Sequence, residues 1–161
     1  MGQAFFYHLT RSPLEQALPR LLERALAAGW RVELRGREAA RMAALDSALW
    51  RHPEDGFVPH GRAGGPHDAR QPVLLTLAGE AAANDPACVM ALDGAEVSAA
   101  EVAALARVCV LFDGHDPQAV EQARAQWRDL TAAGVAAQYW SEASGRWEKK
   151  AQTDGSAQAQ G

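Results

Sequence analysis

Two periods of hydrophobicity alternate along the chain, and each change of period marks a new element. Residues 4–9 (AFFYHL) are apolar and aromatic and predict a first strand. Ser12 followed by Pro13 supplies an N-cap and a proline at the first helical position. Leu14, Leu18, Leu21, Leu22, Ala25 and Leu26 then recur at helical spacing, and Gly29 closes that helix. Pro19 lies inside it and removes one backbone donor, so a kink in the first turns is expected. WRVELR at 30–35 predicts a second strand. Ala40, Met42, Ala43, Leu45 and Leu49 line a helix over about residues 37–50, which Trp50 ends. PVLLTLA at 72–78 and CVMALD at 88–93 are continuous apolar runs, as in strands buried on both faces. Ser98 and Glu101 form a capping box for a helix over 99–105. RVCVLFD at 107–113 is the most strand-like run. Asp116-Pro117 opens a helix over 117–133 that Gly134 ends, and VAAQYWS at 135–141 is a last strand. Residues 151–161 hold no anchoring apolar group beyond alanine and are expected to be a disordered tail.

Strands alternating with helices predict an α/β fold: a single domain over residues 1–150, with a mostly parallel β-sheet and helices on both faces. A chain of 161 residues is long enough to bury a core of that kind. A composition of 48% hydrophobic and 22% charged residues is that of a soluble globular protein. The apolar runs are too short to span a bilayer, and MGQAFFYHLT lacks the basic start and cleavage site of a secretory signal. Cys88 and Cys109 lie in apolar strand-like runs and read as buried thiols, which implies a cytoplasmic setting. A net charge of -4 argues against a chain that grips nucleic acid unaided.

The segment from Trp50 to His67, WRHPEDGFVPHGRAGGPH, concentrates the candidate chemistry. Its prolines and glycines rule out regular structure over most of its length. His52, His60 and His67, with Glu54 and Asp55, are the residues a metal would use, but their spacing matches no common ligand pattern. GRAGGPH follows a helix and precedes a strand, so no helix N-terminus waits to hold a phosphate. Ser12, Ser47 and Ser98 occupy cap or helix positions, and none sits in a nucleophile elbow. No catalytic residue, metal or cofactor is expected. A surface remains: Trp50, Phe57 and Val58, framed by prolines and arginines, have the composition of a protein interface, unless Trp50 and Phe57 fold back into the core. In the helix over 117–133, Val120, Ala123, Trp127 and Leu130 form one stripe, with Arg124 and Arg128 beside Trp127. An arginine next to a partly exposed aromatic can take a peptide carboxylate; the competing reading is a solvated pair offset by Glu121 and Asp129.

These motifs together resemble the chi subunit of bacterial DNA polymerase III. The resemblance rests on FFYHL, LDSALW followed by FVPHGRAGG, PVLLTLAGE, VLFDG with the helix containing ARAQWRDL, and AAGVAAQYW, and it covers nearly all of residues 4–150. It implies a Rossmann-like, three-layer fold and an accessory subunit of the replicase without catalytic activity of its own. It further implies two partners. One is the acidic C-terminal tail of single-stranded-DNA-binding protein, bound at the positions of Arg124 and Trp127. Val120 stands where the family carries a further basic residue, and Arg128, read as lying on a different side of the helix, is the substitute. The other partner is a psi subunit of the clamp loader, where present, docked at Trp50, Phe57, Val58 and Pro59. Association with DNA would then be indirect, with no membrane contact. The alternatives are a direct nucleic-acid-binding module and a metal-dependent enzyme built on residues 52–67.

Overall fold

The computed structural model describes residues 2–51 and 59–154. The elements run β1 (Gln3–Leu9), α1 (Leu14–Ala27), β2 (Val32–Gly36), α2 (Ala39–Arg51), β3 (His60–Arg62), β4 (Val73–Leu77), β5 (Cys88–Leu92), α3 (Ala99–Ala104), β6 (Arg107–Asp113), α4 (Pro117–Ala132), β7 (Ala136–Ser141) and β8 (Glu148–Thr153). Eight strands form one sheet in the order β3-β4-β2-β5-β6-β1-β7-β8. Every pairing is parallel except β7 with β8.

Strand alternation divides the core in two. Leu34, Met90, Cys109 and Leu111 pack under α1 and α2 on one face; Phe6, Val89, Val108 and Val110 pack under α3 and α4 on the other. The expected three-layer α/β domain is the one observed. Gly29 and Gly134 close α1 and α4 at positive φ (85° and 89°), where a Cβ would be strained. In each case the next residue's N–H reaches back past the glycine: Trp30 donates to Ala25 O and Val135 to Leu130 O.

Four expectations change. Ser12 does not cap α1: Pro13 holds that position, and the Ser12 hydroxyl donates to Glu142 instead. Strand β2 starts at Val32, because Trp30 is still held by the turn that ends α1. Strand β3 forms inside the Gly/Pro-rich segment, pairing His60–Arg62 with β4. The expected tail over 151–161 begins too early: Ala151, Gln152 and Thr153 are part of β8, held antiparallel to β7, and only 155–161 lie outside the described residues. Helix α1 runs on through Pro19, its sixth residue, which is buried against the core and removes one backbone donor without ending the helix.

Candidate protein-docking site

Helix α4 is built to lie across β6 and β7. Asp116 accepts from the N–H of Gln118 at its N-cap, and Pro117 sits at its first position. Ala123 and Leu130 are its buried contacts; Val120 and Trp127 are half-buried; Arg124 and Arg128 are exposed. Trp127 stands edge-on to Phe6 (5.3 Å) and Tyr139 (5.9 Å). Strand register supplies the rest of the cluster. Phe6 is opposite Tyr139 on β7, and His8 is opposite Phe112 on β6. The ring of His8 lies 5.0 Å from Phe112, and its Nδ1 is 2.8 Å from the Tyr139 hydroxyl. Gly114 passes so close over the His8 ring that any Cβ there would collide with it.

The charge at the rim is felt by these rings. Burial, with the positive field of Arg124 added, keeps the His8 imidazole below its usual value and therefore neutral at pH 7. Burial raises the Tyr139 hydroxyl while the same arginine pulls it back. Arg124 thus stands at the rim of an aromatic cluster in which Trp127, Tyr139 and His8 are half-buried and Phe112 is buried. Arg128 is about 80° round the helix from Val120, whose basic residue it would replace, and about 40° round from Arg124. It is 64% exposed and 3.8 Å from Glu121, so its charge is partly offset and points to water. The sequence places Arg124 and Trp127 together; it does not reveal Tyr139, His8 and Phe112, which only strand order brings beside them.

The second predicted surface is seen in part. Trp50 is 54% exposed, which excludes the core reading for it. Its ring lies 4.4 Å from that of His60, a buried residue whose Nε2 is 3.1 Å from Asp46 Oδ1. Pro59 is half-buried. Phe57 and Val58 lie outside the described residues, as do His52, Glu54 and Asp55. Among the described residues no three metal-binding side chains come together.

Open α/β sheets hold ligands beyond the carboxyl ends of their strands. A cavity of about 1430 Å³ lies there. The backbone N–H groups of Thr10, Arg11 and Ser12 converge after β1, and all three donate to Glu142 Oε1 (3.0, 2.9 and 2.7 Å). Arg41, on the same rim, is held by Glu15 and Asp93. The loop N–H groups after β1 and the Arg41 guanidinium are thus paired with the chain's own carboxylates.

A family model of the DNA polymerase III chi subunit, HolC, matches residues 1–138. The chain belongs to that family. The match takes in α4, Trp50 and the whole segment around residue 60, and it is shorter than the span of residues 4–150 over which the motifs run. No curated protein matches the chain significantly. Membership makes this chi-family chain an accessory component of DNA polymerase III, acting in DNA replication. Among the described residues no helix is long and apolar enough to cross a membrane.

Proposed function

We propose that the chain is a non-catalytic adaptor of the cytoplasmic replicase that holds the acidic C-terminal tail of single-stranded-DNA-binding protein on α4. The observation that carries this reading is the exposed Arg124 beside the aromatic cluster of Trp127, Tyr139, His8 and Phe112. A carboxylate on Arg124 and a terminal apolar side chain against the rings would satisfy both ends of such a tail. Val120 adds apolar wall where the family carries charge, so more of the binding rests on Arg124, with Arg128 as a looser second cation. Trp50 and Pro59, with Phe57 and Val58, form the docking surface for a psi-like subunit of the clamp loader. An exposed tryptophan at the end of a helix is the kind of anchor such interfaces use.

Calorimetric titration with a synthetic tail peptide tests the first contact. Arg124→Ala is expected to weaken binding about tenfold or more, with the larger loss at low salt, and to leave the melting temperature unchanged. Equal affinities for the two proteins would remove α4 from the site.

A further inference from the structure

A second cavity opens on the opposite side of the sheet from the α4 aromatic cluster, beside α1. Its volume is about 420 Å³, within the range of small-molecule sites. Its floor is Phe5, Tyr7 and Cys109, and its walls include Trp30, Trp140 and Trp147. Trp147, from the turn between β7 and β8, closes edge-on over Tyr7 at 5.4 Å. Two arginines face into this aromatic box. The Arg107 guanidinium lies 3.9 Å above the Phe5 ring and 5.1 Å from that of Trp30. Arg24 stands on the exposed rim at the end of α1.

The charge here is uncompensated. Among the described residues neither arginine makes an ion pair, and the buried Nε of Arg107 has no hydrogen-bond partner. The other titratable groups around them are Tyr7, Cys88 and Cys109. Burial raises the Tyr7 hydroxyl well above its usual range, and contact with Cys88 followed by burial raises the Cys109 thiol, so both stay neutral. A half-buried guanidinium whose buried Nε–H is unbonded is stabilised when an anion is supplied to it.

We propose that this cavity binds a small, flat aromatic molecule carrying one negative charge, its ring seated among the tryptophans and its anionic group on Arg107 and Arg24. Stacking against indole and a fork from guanidinium are the two contacts the walls offer, and neither suits an aliphatic or cationic ligand. The site is separate from the proposed tail-binding surface, whose Phe6 and His8 lie on the other face of β1.

The test uses the full chain with three probes: 2-naphthoate, its neutral counterpart 2-naphthamide, and acetate. Calorimetry and tryptophan fluorescence report together, since Trp30, Trp140 and Trp147 line the walls. The expected result is saturable one-to-one binding of 2-naphthoate with quenching, about tenfold weaker binding of the amide, and none of acetate. Arg107→Gln and Arg24→Gln should each weaken 2-naphthoate and narrow its advantage over the amide, while Arg124→Ala leaves it unchanged. If Arg107→Gln fails to fold, Arg24→Gln, at an exposed helix position, decides alone. Absence of saturation at millimolar probe, equal affinity for acid and amide, or indifference to the arginine changes overturns the proposal.

Discussion

Glu142 carries a carboxylate into the protein interior and spends it on the backbone of a loop some 130 residues earlier in sequence. Burial alone would raise its carboxyl, but the N–H groups of Ser12, Arg11 and Thr10 and the Ser12 hydroxyl outweigh that, leaving it below the ordinary 4.5. The folded chain therefore holds the ionised form more tightly than the unfolded chain does. Its contribution to stability is complete above about pH 4.5 and is lost as pH falls through the lower folded value. Glu142→Gln should lower unfolding free energy by about 1–3 kcal/mol at pH 7, and the gap should close by pH 3, as urea unfolding at the two pH values will show. None of this was legible in the sequence, which suggested a helix cap for Ser12, because a cap is a local pattern and Glu142 is not a local partner. Trp127 and Arg124 were legible for the opposite reason: a helix places them by spacing alone. Tyr139 and His8 needed the order of the strands.

At the scale of elements, apolar patterning carried most of the prediction. The ten runs read as strands or helices from their apolar patterning, six strands and four helices, are all present, with ends moved by at most two residues. The two missed strands lack that signal. Strand β3 is three residues long, and β8 reads EKKAQT, the lysine-bearing composition of a sheet edge. Another link between elements was also hidden. Arg35 on β2 binds Glu33 at 3.0 Å beside it and Glu101 at 2.6 Å on α3, tying the helix to the sheet. Glu33 is buried and also accepts from Thr76. Arg35→Ala would strand that carboxylate without its cation and should cost about 3–5 kcal/mol in denaturant unfolding. Glu33→Gln in the same chain should recover part of the loss, since it removes the charge that needs pairing; a double variant no more stable than Arg35→Ala would show that the stranded Glu33 carboxylate is not the source of the loss.

For the whole molecule, the alternation of strand and helix foretold a parallel sheet, but not which strands would be neighbours. That order puts β3, beside Trp50, at one edge and β7, under α4, near the other. Two docking surfaces so placed share no side chain. Trp50→Ala should leave affinity for the tail peptide within about 0.5 kcal/mol of the unaltered chain, as for independent sites. Arg124→Ala should in turn leave binding of a psi-like subunit unchanged. Calorimetry of each variant against each partner checks both halves, and a coupling beyond that margin would mean the sheet transmits strain between its ends.

Six strand spacings separate β3 from β7, a distance of about 29 Å at 4.8 Å each. A hydrogen-bonded sheet does not stretch under thermal agitation, so under the docking scheme proposed above the chain is a rigid strut rather than a tether. Slack in a replication assembly must then come from the tail it grasps, and pulling on that tail would move the clamp-loader end by the same amount.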